Sequence, residues 1–470
     1  IQFLTETFVL TLLATVLSIA LTPFLLKVFA DFIPGDFHFS LLRQPGVILF
    51  LVVLMLVVSL LSGIYPALVL SGFRPALVLK NQAFSGTGKT RSAWLRKSLT
   101  VSQFVIAQVF IIATLLVSKQ ISYALNKDLG FKKDAIISFR TNYRQPPEKK
   151  SVLLDRLRAI PGVAMASINS NPPSSNGTWT STLVVNDGKK EIRENVQIKQ
   201  GDTNYIRMYG LHLLAGSGAP QSDTISAIVI NEAYLHVLGY QDPQKAIGIQ
   251  VKEFTGNPRI VGVVADFFPH SLRDPIKPLA ITNGIRGANV IGVTLQPRST
   301  DGSNWTATLR EIGKAFHDVY PNDDFDYQFV DESIAKFYTA ERNISRLLLW
   351  ATGLTIFISC LGLLGLVIYI TNQRTKEIGI RKVIGATVTQ LILLLSRDFL
   401  KLIGLAILIA MPVAWWGSQK WLENFAYKTS LSWWIFAAGG GCLLAIALII
   451  LCIRTLRAAL ANPVSALRSE

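Results

Sequence analysis

Two hydrophobic ends enclose a polar middle. Apolar residues run almost unbroken over Thr7–Phe29, Gly46–Tyr65, Leu99–Val117, Leu347–Ile370, Leu391–Trp415 and Trp433–Ile453. A hydrocarbon layer about 30 Å thick takes about 20 apolar residues as a helix, so each stretch predicts a membrane span. Pro23 and Pro412 fall inside two of them, which a membrane helix tolerates because neighbours satisfy the freed carbonyls. Residues 119–344 differ in character. Ala135–Phe139, Ala164–Asn169, Val290–Gln296 and Tyr327–Val330 predict strands, and Ser151–Ile160 and Thr306–Tyr320 predict helices. Short β-rich runs lie between, among them Ala227–Ile230, Gln250–Val251 and Arg259–Ala265. The expected domain is two βαβ-like pieces in one α/β lobe, with a mainly β lobe inserted. Lys119–Leu129 and Ser333–Arg346 extend the flanking spans as helices.

Charge assigns the sides. The chain is 50% hydrophobic and 16% charged, with a net charge of +16 and a mean hydropathy of +0.39. In a soluble protein such a surplus would suggest nucleic acid, but here the cations cluster beside apolar runs. Arg74, Lys80, Lys89, Arg91, Arg96 and Lys97 form one group, Arg374, Lys376, Arg381 and Lys382 another, and Arg454, Arg457 and Arg468 a third. Short basic flanks mark cytoplasmic sides, and no nucleic-acid partner is expected. Residues 31–45 and 416–432 lack the bias. The second of these is rich in aromatics, including Trp416, Trp421, Phe425, Tyr427 and Trp433, which suit an interfacial belt. All six spans fit one alternation. The predicted division is two spans in 1–80, a cytoplasmic linker 81–98, a span 99–118, the outer domain 119–344, and three spans in 345–470 with a cytoplasmic segment 371–390. The fold class is an α-helical polytopic membrane protein with an inserted α+β domain outside the cytoplasm.

Candidate chemistry is sparse. Cys360, Cys442 and Cys452 all lie in apolar runs and read as packing residues. The five histidines lack metal-ligand spacing, and Asp323, Asp324 and Asp326 lack the Gly turn and distal Glu of a calcium loop, so they read as a solvated turn. No nucleophilic triad stands out. Ala83–Thr90 satisfies a relaxed phosphate-loop pattern, yet that chemistry needs a strand before and a helix after, within a nucleotide-binding core. A basic, flexible Gly/Ser/Thr linker between spans is the expected reading. Neither a cofactor nor an enzymatic activity of the chain's own is expected.

The two ends also resemble each other. Phe73-Arg-Pro-Ala-Leu-Val-Leu-Lys80 aligns with Ala461-Asn-Pro-Val-Ser-Ala-Leu-Arg468, and Phe3–Phe8 resembles Leu394–Phe399. Residues 1–80 therefore read as a copy of about 389–468. The second copy is preceded by a span, an outer domain, another span and a basic loop. A longer chain is expected to carry an equivalent set ahead of Ile1.

The most informative stretch is Arg374-Thr-Lys-Glu-Ile-Gly-Ile-Arg-Lys-Val-Ile-Gly-Ala386, a short basic amphipathic helix by its pattern. Directly after a span that follows an outer domain, it resembles the signature of the FtsX/MacB-type permeases of ABC transporters. Arg96–Phe104 is similar to the opening of their preceding span. Tyr205–Gly216, Val229–Glu232 and Ile260–Phe267 resemble segments of the MacB-like periplasmic core domain. The style is that of the duplicated Bacteroidota type, here N-terminally truncated, with one coupling segment instead of two.

The resemblance implies an inner-membrane permease subunit whose Arg374, Lys376, Glu377, Ile378, Gly379, Arg381, Lys382, Gly385 and Ala386 dock on a separate cytoplasmic ABC ATPase. ATP-driven closure of that partner would move the periplasmic domain through the helices Leu99–Leu129 and Ser333–Ile370, for efflux of peptide, lipoprotein or drug. Membrane lipid, a periplasmic adaptor or outer-membrane component, and a dimeric or pseudo-dimeric assembly complete the implied partners. The alternative is an FtsX-like regulator that activates a periplasmic cell-wall hydrolase. A sensor receptor is disfavoured because the cytoplasmic segments are too short for an output domain.

Overall fold

A computed structural model describes the chain except residues 1, 33–43, 72–87, 143–144, 176, 178, 187–190, 221, 223, 253–256, 285–286, 298–303, 374–379, 382–383 and 461–470. It divides into a membrane unit (Ile1–Ile111, Arg346–Met411, Ala438–Glu470) and an outer unit (Ile112–Ser345, Pro412–Ala437).

Among the described residues six helices are long and apolar enough to cross a membrane: α1 (Gln2–Val28), α2 (Pro45–Ser71), α3 (Gly88–Asn126), α9 (Thr339–Gln373), α10 (Val388–Leu422) and α11 (Trp433–Leu460). Their outward faces carry Leu10, Phe24, Leu49, Phe50 and Leu61, all exposed, a surface that only lipid or another apolar face can cover. Within the membrane unit α1 and α2 close on Gly63. A side chain there would meet Thr7 and Leu4, and the Thr7 hydroxyl donates to the Ser59 carbonyl at 3.3 Å. The helix α3 packs on α9, where the Ser359 hydroxyl donates to the Gln103 carbonyl at 3.2 Å and Gly362 leaves room for the Gln103 side chain.

The helices are longer than their apolar runs. α3 has 39 residues and begins at Gly88, so the last part of the expected linker is already helical, with Gly88, Lys89 and Thr90 as its first turn. The second expected stalk, Ser333–Ile370, is not continuous. A short helix α8 (Val330–Lys336) stops, and α9 starts at Thr339. The break falls at Tyr338, whose ring is buried and whose hydroxyl accepts the Leu272 N–H at 3.0 Å. Burying that ring against the domain outweighs one more turn of unbroken helix.

The outer unit holds two sheets. The first contains β1 (Ile136–Arg140), β2 (Val163–Asn169), β10 (Val290–Leu295) and β11 (Tyr327–Phe329) in the order β11-β1-β10-β2, all antiparallel neighbours. α4 (Pro147–Arg158) joins β1 to β2, and α7 (Asn304–Val319) joins β10 to β11. Each expected βαβ piece is thus split, with a strand of the other inserted between its own two. Ile137, Phe139, Ile291 and Val293 face Leu153, Leu157, Ile312 and Phe316 in one core, as alternation along a strand requires.

The second sheet is inserted between β2 and β10. It comprises β3 (Trp179–Asn186), β4 (Glu191–Gln200), β5 (Leu213–Gly216), β6 (Ala227–Asn231), β7 (Val251–Lys252), β8 (Arg259–Val264) and β9 (Leu279–Thr282), in the order β5-β8-β6-β9-β4-β3-β7. Its core gathers Val185, Val196, Ile228, Ile230 and Val263 with Tyr234 and Leu235 of α6 (Glu232–Val237). A third cluster joins Ala124 of α3, Ile136, Tyr338, Phe267 and Leu272 with Tyr205 and Met208 of α5 (Tyr205–Met208).

Candidate functional site

Of the residues expected to couple to an ATPase, Arg374, Lys376, Glu377, Ile378, Gly379 and Lys382 lie outside the described residues, whereas Arg381, Gly385 and Ala386 are described. They form a helix end. Ile384 N–H donates to the Ile380 carbonyl at 3.1 Å and Ala386 N–H to the Arg381 carbonyl at 2.9 Å. Gly385 sits at φ +96°, which a residue with a Cβ adopts only under strain. A left-handed glycine with a six-to-one bond across it is the Schellman termination.

The next helix starts at once. Thr387 N–H donates to Gln390 Oε1 at 3.1 Å, and Gln390 N–H donates back to Thr387 Oγ1 at 3.3 Å. This reciprocal pair is a capping box on α10. Two caps back to back fix a tight corner over 384–388, and Ile380 and Ile384 stay 52% and 79% exposed beside it. On the preceding helix, the Arg96 guanidinium of α3 lies 3.8 Å from the centre of the Tyr369 ring of α9, a cation–π contact.

In the outer unit the segment joining α10 to α11 is stitched into the domain. Ala426 N–H donates to the Arg273 carbonyl at 3.2 Å and Tyr427 N–H to the Leu272 carbonyl at 3.0 Å. Gln120 of α3 bonds it twice, its Nε2 donating to the Tyr427 carbonyl at 3.2 Å and its Oε1 accepting Thr429 N–H at 2.8 Å. Lys119 Nζ donates to the Ser430 carbonyl at 2.9 Å and to Ser432 Oγ at 2.7 Å. The Tyr427 ring meets Phe268 edge-on at 4.8 Å, and Arg273 lies over Phe425 while pairing with the buried Glu341. Phe425 and Tyr427 therefore leave the expected interfacial belt and join the domain, while Trp416 and Trp433 remain exposed. Their sequence signal is identical, because an aromatic suits either place.

One more group escaped the sequence reading. Lys199 of β4 is 1% exposed, donates to the Pro172 carbonyl at 3.0 Å and to Ser175 Oγ at 2.9 Å, and forms no ion pair among the described residues. Burial pushes its pKa down to about 7. It fastens the segment 172–175 to the second sheet. Among the described residues no group of His, Cys, Asp and Glu could hold a metal ion. Asp324 and Asp326 are exposed.

Six apolar helices among the described residues, basic flanks and an inserted α/β domain define a multi-pass inner-membrane protein with a periplasmic domain. Residues 350–463 match the family described as FtsX-like permease C-terminal. By this segment the chain is similar to the FtsX-like permeases. Three of the similar solved structures share low identity with the chain. The periplasmic region of MacB from Actinobacillus actinomycetemcomitans is 14% identical, covering 46% of this chain and 98% of its own, with a TM-score of 0.31. The extracellular domain of the noncanonic ABC-type transporter YknZ from Gram-positive bacteria is 12% identical, over 41% and 97%, at 0.28. A domain of a putative permease protein from Porphyromonas gingivalis is 16% identical, over 42% and 94%, at 0.27. No curated protein matches the chain.

Proposed function

We propose that the chain couples ATP hydrolysis by a separate cytoplasmic ATPase to movement of its periplasmic domain, driving export of a peptide, lipoprotein or drug. What supports this reading most is the corner at 384–388. A docking segment transmits a push only if the chain beyond it cannot bend, and a Schellman end followed at once by a capping box leaves no slack residue before α10. Exposed Ile380 and Ile384 with Arg381 offer an apolar and basic face to a partner. Helices of 39 and 35 residues would carry the motion, since an α-helix cannot lengthen without breaking its own hydrogen bonds.

The test is co-purification of the ATPase with the full chain from its own membranes. Arg381→Glu with Lys382→Glu is expected to abolish association while leaving the chain monodisperse. Unchanged association and an unchanged ATPase rate would overturn the coupling role.

A further inference from the structure

Where α3 leaves its apolar run, Leu115, Ser118, Ser122 and Asn126 recur at spacings of three and four, with Lys119 beside them. That spacing sets them in one stripe along the helix, about 16 Å long from first to last. In the outer unit this stripe and Trp434, at the start of α11, line a groove of about 560 Å³.

The groove lies at the membrane boundary. The apolar run of α3 ends at Val117, and that of α11 begins at Trp433. Lys119 Nζ donates to Ser432 Oγ at 2.7 Å, which joins residues just outside the two runs, so both helices leave the hydrocarbon at one level. Leu115 lies on the apolar side of that level. Trp434 is 46% exposed and of the residue type that settles among headgroups. Ser118, Lys119, Ser122 and Asn126 rise past it. A soluble ligand would find the lower part of the groove among acyl chains, whereas a glycerophospholipid is divided in the same way as the groove.

The polar part favours one sign of charge. Lys119 gives two of its three N–H groups to the Ser430 carbonyl and the Ser432 hydroxyl. Among the described residues it forms no ion pair, and no carboxylate lines the groove. One turn above, Ser122 Oγ accepts from Asn126 Nδ2 at 3.2 Å, which leaves its own O–H to donate. A cation held by two bonds, with a hydroxyl donor beside it, suits the oxygens of a phosphate diester. An ammonium headgroup would find no acceptor of opposite charge.

We propose that this groove binds one anionic glycerophospholipid of the periplasmic leaflet, of the phosphatidylglycerol class. Its phosphate sits on Lys119 and Ser122, and an acyl chain runs along Leu115 and Trp434. The inference does not depend on the coupling or export reading.

The test is native mass spectrometry of the full chain, released from micelles carrying equal amounts of palmitoyl-oleoyl phosphatidylglycerol, phosphatidylethanolamine and phosphatidylcholine. Phosphatidylglycerol is expected to stay bound in preference to the other two. Lys119→Met should reduce that retention about fivefold, the weight of one cation at an anionic surface. Ser122→Trp fills the groove from an exposed helix position and should reduce it at least as much, without touching the bonds of Lys119. Lys420→Met, which removes an exposed cation of α10, should change nothing. Equal retention of the three lipids, a preference that survives Ser122→Trp, or an equal loss in Lys420→Met would overturn the proposal. So would displacement of the lipid by free glycerol phosphate, which would mark a site for soluble phosphates instead.

Discussion

Lys199 illustrates how much a single buried group can shape the response of a domain to pH. Its ammonium is shut away from water with a carbonyl and a hydroxyl as acceptors, so the charged form is penalised and its pKa falls to about 7. The unfolded chain keeps an ordinary lysine, protonated up to about pH 10.4. Between these values the unfolded state binds the extra proton, so stability rises with pH, at up to about 1.4 kcal/mol per unit. Below pH 7 both states are charged and the contribution is flat. Lys150, also pushed down by burial, acts in the same sense. The buried tyrosines, raised by desolvation, oppose it only above about pH 10. Thermal unfolding of the outer domain in nanodiscs should therefore shift upward from pH 7 to 9.5, and Lys199→Met should flatten most of that climb. An equal climb in the variant would show that Lys199 is not the titrating group. Nothing in Glu191–Gln200 marks this lysine in advance. The stretch alternates, and only the packing on both sides of β4 decides that Gln197 and Lys199 turn inward.

Among elements, the segment between α10 and α11 makes the firmest statement. A loop anchored only by lipid would exchange its amides freely. This one hands the Thr429 and Tyr427 backbone to Gln120 and Leu272. Gln120→Leu keeps the volume and removes both side-chain bonds, each worth about 0.5–1.5 kcal/mol. Amide exchange at Thr429 should accelerate about tenfold, with the rest of the domain unaffected. An unchanged rate would mean that Tyr427 alone holds the loop. The spans themselves were legible because twenty apolar residues in a row have few other destinations. Their ends were not. Gly88–Lys97 continues α3 in polar sequence, and Tyr338 breaks the second stalk through a long-range contact with Leu272 that no local window contains. Likewise the strands of the first sheet were readable one by one, whereas their interleaved order depends on pairings about 150 residues apart, such as Ile137 with Val293.

For the whole molecule, orientation is the property most open to a direct check. Lys252 and Gln390 are both exposed, one in the outer unit and one in the membrane unit's α10. In intact spheroplasts a membrane-impermeant maleimide should label Lys252→Cys and leave Gln390→Cys unlabelled until the membrane is opened. Labelling of both from outside would contradict the assigned sidedness. The candidate coupling segment was visible in sequence because its pattern is local. The tight corner at its end was not, since the bonds from Ala386 N–H to the Arg381 carbonyl and between Thr387 and Gln390 exist only in the folded chain.

The split arrangement of the first sheet has one more result. The chain enters the domain at β1 and leaves it at β11, and these are adjacent antiparallel strands, with Ile137 opposite Phe329. Entry and exit therefore share a doorway. An insertion whose two ends touch is a cassette: it can be swapped, enlarged or deleted by lineages over time without re-threading either helix of the host. A membrane protein built this way can remodel its periplasmic part and leave its spans untouched.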